Sequence, residues 1–315
     1  MNRLFYELNS LKWFLVRIYN HYAKPKRWEC KGKTYGSVAK LSVDEGGTLI
    51  AKKIESGEPF MAARFGSTEL AATTEGYAIE HGWRKSVTKR TVEYMRVLSG
   101  FFPSNQENIV RFSKLMLECM PYTDVLGVWY NPNEDYFIRY YMPNVSLTPI
   151  AAINELHQNN WTRALRGKKV VVVSPFQETI LSQYKRREKL FSDSDLLPEF
   201  DLRVVKAVQT AANETDERFD DWFAALDYMF HEIMSEDFDI ALLGCGAYGF
   251  PLASKIKQAG KSAIHVGGGL QLLFGIKGGK WDNTVTTQYY NEYWVRPSEA
   301  ETPKGYQKVE NGCYW

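Results

Sequence analysis

A glycine-rich turn after an apolar segment is the feature of this sequence best suited to binding chemistry. The segment Phe238 to Leu243 runs into Gly244-Cys245-Gly246-Ala247-Tyr248-Gly249 and then into a segment of helical character. Glycines let a phosphate approach the backbone, and a helix N-terminus supplies N–H donors with partial positive charge. The GxGxxG pattern therefore predicts a phosphate-binding loop, and a tight turn with close helix packing is the alternative role of these glycines.

The acidic residue that a dinucleotide-binding site needs is missing from this sequence. That fingerprint needs an acid near the end of the next strand for the ribose hydroxyls. The position holds His265, and no Asp or Glu occurs between Gly246 and Asp282. The missing acid counts against a nicotinamide cofactor.

Three further predicted strands end in polar or glycine residues. They are followed by Arg64-Phe65-Gly66-Ser67-Thr68-Glu69, by Ser174-Pro175-Phe176, and by His265 with Gly267, Gly268 and Gly269. Arg64 and Glu69 flank Gly66, so the guanidinium could neutralise a diphosphate while the carboxylate deprotonates a hydroxyl or coordinates a metal. Alternatively, the two side chains form only an ion pair at the start of a helix. His265 could donate to a diphosphate or act as acid or base, or be a structurally satisfied histidine. Ser174 could cap the next helix or bind a ligand as it does so.

The elements that must position these residues alternate between apolar strands and amphipathic helices. This alternation predicts an α/β fold with a Rossmann-like, doubly wound, mostly parallel sheet and helices on both faces. Ligands bind such sheets at the carboxyl ends of the strands, so the four junctions should share one edge. We further expect a helix from Glu178 to Phe191 and a long loop or irregular insertion from Tyr130 to Pro149.

The first 40 residues form a separate basic amphipathic arm ahead of a domain at 41–315, whose halves are about 41–165 and 166–315. An apolar stripe recurs at helical spacing and consists of Leu4, Leu8, Leu11, Leu15, Ile18 and Tyr22. A basic cluster follows, formed by Lys24, Lys26, Arg27, Lys31 and Lys33. Residues 3–28 could lie in the headgroup region of an anionic membrane, or the helix could pack on the body or on a second subunit.

Composition and charge exclude several classes of protein. The 315 residues are 44% hydrophobic and 14% aromatic, which is ample for a buried core. Residues 1–40 carry nine Lys/Arg and two Glu, whereas the remainder holds 30 basic and 35 acidic residues. Because no basic face or RNA-binding signature follows residue 40, nucleic acid is not an expected partner.

The cysteines and the apolar segments indicate in which cellular compartment the protein is expected. The four cysteines form no CxxC pair, which argues against a zinc site and a disulfide framework. No apolar run is long enough to span a bilayer, and charged residues interrupt the N-terminal stretch as a signal-peptide core. We expect a cytoplasmic protein, which could be peripheral at the inner membrane face.

Several segments resemble one known family. The segment Arg64 to Glu69 is similar to the RFGDGE-type motif of GT-D-fold glycosyltransferases, and Leu243 to Leu252 with Ala263 to Gly268 resembles the C-terminal half of bacterial GT-D-like proteins. Members of that group from carbohydrate loci carry further similar stretches. These are Val173 to Phe176, Gln183 to Arg186, Leu197 to Phe200 and Val309 to Trp315. The resemblance covers most of residues 41–315.

The resemblance implies a glycosyltransferase of surface polysaccharide or glycan assembly. Its donor would be a nucleotide-sugar, with a UDP-sugar expected, and its acceptor a glycan or a lipid-linked glycan. Glu69 and His265 would be catalytic, and Mg²⁺ or Mn²⁺ would bind Glu69, although Ser67 replaces the first acid of the family's Asp-x-Glu pair and so weakens a metal site. The nucleotide-sugar would contact Arg64, Gly66, Ser67, Ser174, Pro175, Phe176, Gly244, Gly246, Ala247, Tyr248, Gly249, Gly267 and Gly268. An NAD(P)-dependent oxidoreductase and a non-catalytic nucleotide-sugar-binding protein are the alternatives.

Overall fold

A computed structural model describes residues 3–22, 32–154, 156 and 161–315. Its main sheet has seven strands in the order β5-β4-β3-β9-β8-β6-β7, and every neighbouring pair is parallel. The strands are β3 (Met61–Ala63), β4 (Val125–Val128), β5 (Ser146–Pro149), β6 (Lys169–Ser174), β7 (Asp201–Lys206), β8 (Ile240–Leu243) and β9 (Ser262–His265), and an antiparallel hairpin of β1 (Thr34–Tyr35) and β2 (Val38–Ala39) precedes them. The prediction of a Rossmann-like parallel sheet is therefore confirmed.

Helices cover both faces of this sheet. They are α1 (Arg3–Tyr22), α2 (Val43–Ser56), α3 (Ser67–Glu80), α4 (Lys89–Val97), α5 (Gln106–Cys119), α6 (Glu134–Tyr141), α7 (Ala151–Asn154), α8 (Gln177–Tyr184), α9 (Trp222–Met234), α10 (Gly249–Gln258) and α11 (Leu270–Leu273). The main sheet separates two cores, and in β6, for example, Val171 and Val173 belong to the first core and Val170 and Val172 to the second. The first core contains residues of α1, α3–α6, α9 and α10, and the second contains residues of α2, α7, α8 and α11.

Several pairs of neighbouring strands in the sheet are followed by helices on opposite faces, and two of these pairs are β6/β8 and β3/β9. After β6 the chain enters α8 on the second face, whereas after β8 it enters α10 on the first. Likewise α3 follows β3 on the first face and α11 follows β9 on the second. The loops separate at such switch points, which leaves a crevice at the carboxyl ends of the strands.

Two sequence expectations are wrong. The stretch Tyr130 to Pro149 is not an irregular insertion, because it contains α6 and the edge strand β5. Acidic residues in the first turn favour α6, since they interact with the helix dipole. Strand β5 forms because Leu147 and Thr148 are buried there. The helix expected from Glu178 to Phe191 ends at Tyr184, because Arg186 leaves the helical conformation and Leu190 and Phe191 turn into the second core.

Helix α1 packs against the rest of the protein through one narrow face. Trp13 and Val16 are buried, and Trp13 Nε1 donates to Asp135 Oδ1 at 2.9 Å. Asn9 Nδ2 donates to the same oxygen at 3.1 Å, and Lys12 forms an ion pair with Asp135. Residues 24, 26, 27 and 31 of the predicted basic cluster lie outside the described residues.

Candidate active site

The carboxyl edge of the main sheet holds a cavity of about 1200 Å³, part of which is open to solvent. Its walls come from the loops after β3, β4, β6, β7, β8 and β9, and from the chain's last residues. It includes the strand ends of both pairs, β6/β8 and β3/β9. The four strand ends singled out in the sequence therefore meet at one site.

The turn after β3 supplies a carboxylate. Gly66 is the N-cap of α3, so Glu69 occupies the third position of that helix and its side chain folds back over the turn. A Cβ atom at position 66 would overlap this carboxylate, which explains the glycine. Ser99 Oγ donates to Glu69 Oε1 at 2.7 Å and holds it at the cavity wall. Ser67 lies beside it and is exposed.

Arg64 brings a guanidinium to the lining of the same cavity. Its Nε is buried and has no hydrogen-bond partner among the described residues. The guanidinium lies 5.7 Å from the centre of the Trp129 ring and passes so close to Gly267 that a Cβ there would come within 2.7 Å of Nε. A buried donor with no acceptor favours a ligand that supplies one, and a cation favours an anionic ligand.

The glycines of the GxGxxG loop divide into two kinds. Gly246 lines the cavity in the left-handed conformation, with φ +59°, and a Cβ there would meet nothing within 4 Å. Gly244 lines the cavity too, but a Cβ there would lie 2.8 Å from Leu270. Gly249 does not line it and packs on the ring of His265, which a Cβ would overlap. Ala247 is buried outside the lining, and Tyr248 lines the cavity while stacking on Trp222 at 4.6 Å.

His265 is not among the residues that line the cavity. It is 2% exposed and lies beneath the first turn of α10. Burial, reinforced by the charge of Arg64, holds the pKa of His265 well below its ordinary value, so the imidazole is neutral at pH 7. Its Nδ1 has no hydrogen-bond partner in the described structure. The geometry makes it a support for α10.

The loop after β6 lines the cavity through Ser174, Pro175 and Phe176, but Ser174 does not cap α8. Its Oγ instead accepts from the N–H of Phe176 at 3.2 Å. The start of α8 is occupied by Glu301, whose Oε1 accepts from the N–H of Glu178 at 2.7 Å. Because a carboxylate already satisfies these N–H groups, a phosphate has no place at this helix terminus.

Sequence reasoning missed several residues of the site. Ser99, Trp129 and the loop after β7, 207–211, line the cavity, as do Lys280, Glu310, Tyr314 and Trp315 near the end of the chain. Burial raises the pKa of Tyr314, whose ring lies against Gly268. Phe176 and Trp315 meet edge to face at 6.2 Å. The only sequence signal for the end of the chain was the resemblance of Val309 to Trp315.

The carboxylate of Glu69 is the single acid that the β3 turn contributes. Within residues 3–22, 32–154, 156 and 161–315, no three His, Cys, Asp or Glu side chains come together as a metal-binding group. A divalent cation bound with a diphosphate commonly uses one or two carboxylates plus phosphate oxygens and water. The residues present therefore do not form a protein cage for Mg²⁺ or Mn²⁺.

Comparison with known proteins yields two distant structural neighbours. No family model matches the chain, and no curated protein matches it. A selenomethionine-substituted structure of domain of unknown function 1792 has 12% identity and a TM-score of 0.45, and a second structure of this domain, described as having a distinct glycosyltransferase fold, has 13% identity and a TM-score of 0.43. Each match covers 87% of this chain and 95% of the other. Because both TM-scores lie below 0.5, neither the fold name nor the activity is transferred to this chain.

Proposed function

We propose that the protein is a glycosyltransferase of the GT-D type that binds a nucleotide-sugar in the carboxyl-edge cavity. The observation that carries the proposal is that one cavity holds both Arg64, whose buried Nε has no hydrogen-bond partner among the described residues, and Glu69, which Ser99 holds in place. The resemblance of Arg64 to Glu69 and of Leu243 to Leu252 to that family supports the same assignment.

The donor would be held by its diphosphate. Arg64 supplies charge, and Gly246 leaves room for a phosphate to approach the backbone. Trp315, which is half-buried and lies edge to face with the buried Phe176, offers aromatic surface on which a base can stack. A UDP-sugar is the proposed donor, and a glycan or lipid-linked glycan in surface polysaccharide assembly is the proposed acceptor.

Transfer would require removal of a proton from the acceptor hydroxyl. Glu69 takes that proton as the acceptor oxygen bonds to the anomeric carbon, and the bond from that carbon to the diphosphate oxygen breaks. The nucleoside diphosphate leaves with the electron pair, and Arg64 stabilises its charge. His265, neutral and buried, supports the loop and does not touch the reacting atoms.

A thermal-shift panel tests the donor class. We expect UDP and a UDP-sugar to raise the melting temperature, because a ligand that binds only the native state stabilises it. GDP, CMP and NAD(P)H should raise it less. Stabilisation by NAD(P)H alone would favour the oxidoreductase, and binding of a UDP-sugar without its transfer or hydrolysis would favour a non-catalytic binding protein.

The variant Arg64→Met tests the diphosphate contact. We expect it to weaken UDP binding by about tenfold or more, because a charge-assisted contact is lost, while uridine binding stays unchanged. Lys280→Met is the matched control, since Lys280 lines the same cavity but its Nζ lies 4.0 Å from Glu310. Equal losses in the two variants, or an equal loss for uridine, would contradict the role of Arg64.

A further inference from the structure

The apolar stripe of α1 (Leu4, Leu8, Leu11, Leu15, Ile18 and Tyr22) faces away from the body. Its members are between 41% and 79% exposed. Monomeric proteins rarely expose a continuous apolar surface of this kind unless it meets a partner. A helix of 20 residues is about 30 Å long, so the stripe is an extended surface.

The opposite face of α1 fixes this orientation. Tyr6 packs on Tyr77 and Trp83, with ring centres 5.9 and 5.0 Å away, and Trp13 is buried against Asp135. These contacts hold the helix on the body between Tyr6 and Val16. The stripe is therefore presented outward by specific contacts.

Charge decides which partner fits the stripe. Residues 1–40 carry nine Lys/Arg and two Glu, whereas the rest of the chain has five more acidic than basic residues. A second copy docked stripe to stripe would bring two strongly basic arms together. An anionic bilayer instead attracts the basic arm and accepts the apolar side chains at the level of the headgroups.

We propose that α1 lies along an anionic lipid bilayer with its apolar stripe inserted at the headgroup boundary. In the described ranges of the chain, no helix is long and apolar enough to cross a membrane. The helix would therefore lie in the plane of the surface.

The position of α1 also relates the bilayer to the cavity. Asn9 and Trp13 contact Asp135 at the start of α6, and Tyr6 contacts Tyr136 in the same turn, so this part of α1 lies beside the loop that follows β4 at the carboxyl edge of the sheet. Trp129, on the loop that leads to α6, lines the cavity. A lipid-linked acceptor would thus enter from the adjacent surface, a consequence that rests on the proposed function.

Co-sedimentation of the full chain with vesicles tests the proposal without measuring activity. We expect binding to phosphatidylcholine vesicles that contain phosphatidylserine, weak binding to phosphatidylcholine alone, and release as salt is raised. The double variant Leu8→Glu/Leu15→Glu should reduce the bound fraction about tenfold or more, because two inserted side chains are replaced by anions. Leu181→Glu, at an exposed leucine of α8, is the control and should bind as the parent does.

Three results of the vesicle assay would overturn the proposal. The parent protein could fail to bind anionic vesicles, it could bind neutral vesicles equally well, or the double variant could keep its binding. Light scattering without lipid examines the competing partner. A parent dimer that the double variant converts to a monomer would assign the stripe to a second copy. Failure of the transfer assay with intact vesicle binding would reject the proposed function and leave this inference standing.

Discussion

Replacing Glu69 by Gln separates a catalytic carboxylate from a structural one. Glutamine keeps the size of the side chain and an oxygen that can accept from Ser99 Oγ, which lies 2.7 Å from the carboxylate. It removes the charge and the basicity. If Glu69 is the general base, transfer should fall on the order of 100- to 10,000-fold, which corresponds to about 3 to 5 kcal/mol in the barrier.

The structural role of Glu69 predicts a much smaller effect. At the third position of α3 the carboxylate interacts with the helix dipole, which contributes about 0.3 to 1 kcal/mol. The Ser99 hydrogen bond also weakens when its acceptor becomes neutral, by about 1 kcal/mol. The free energy of unfolding should therefore fall by about 2 kcal/mol at most, and donor affinity should barely change.

The chain contains a matched control for this experiment. Glu45 is also the third residue of a 14-residue helix, α2, where it forms a capping box with Ser42 away from the cavity. Glu45→Gln should cost some stability and leave transfer intact. Initial rates of sugar transfer and chemical denaturation should be measured for both variants. Turnover in Glu69→Gln within about threefold of the parent would refute the assignment of Glu69 as general base.

Three further predictions concern glycines, a buried acid and a helix cap. Gly246→Ala should weaken UDP binding measured by calorimetry, because the new Cβ would occupy cavity space that a phosphate needs. The fold should stay intact, since the left-handed conformation of an alanine costs only about 1 to 2 kcal/mol of stability. Gly249→Ala should instead lower the melting temperature, because its Cβ would overlap the buried ring of His265. Burial raises the pKa of Glu134 to about 8 in the folded protein, whereas the unfolded chain has the ordinary pKa of 4.5. Between these two pH values the folded state holds a proton that the unfolded state has released. The free energy of unfolding should therefore fall by about 1.4 kcal/mol for each unit that the pH rises across this range. Glu134→Gln should remove that slope in denaturation curves measured from pH 5 to 8. Glu301→Ala should lower the free energy of unfolding by about 1 to 2 kcal/mol, because the first N–H groups of α8 lose their acceptor.

Each of these predictions has a contrary outcome. Equal UDP affinity in Gly246→Ala and the parent would remove the glycine loop from the binding site. A pH slope that persists in Glu134→Gln would assign it to other groups. Parent-like stability of Glu301→Ala would mean that water satisfies the start of α8 equally well.

The architecture and the shared edge of the candidate site followed from the sequence because both depend on local patterns. Apolar strands such as Val170 to Val173 alternate with amphipathic helices, and right-handed crossovers then give a parallel sheet. Since all carboxyl ends of a parallel sheet lie at one edge, Arg64, Ser174 and Gly246 had to come near one another. The periodicity of α1 likewise identified an apolar face.

Contacts between distant segments decided the rest. The pattern of α1 could not say what its stripe meets, because that depends on Trp13 reaching Asp135, 122 residues further along the chain. Glu301, rather than Ser174, accepts from the first N–H groups of α8, and Gly249 allows α10 to pack on His265. Each of these outcomes is a competition between groups that meet only after the chain folds. Local spacing therefore predicts which chemical groups are available, and tertiary packing determines which of them have a partner and which remain open to a ligand.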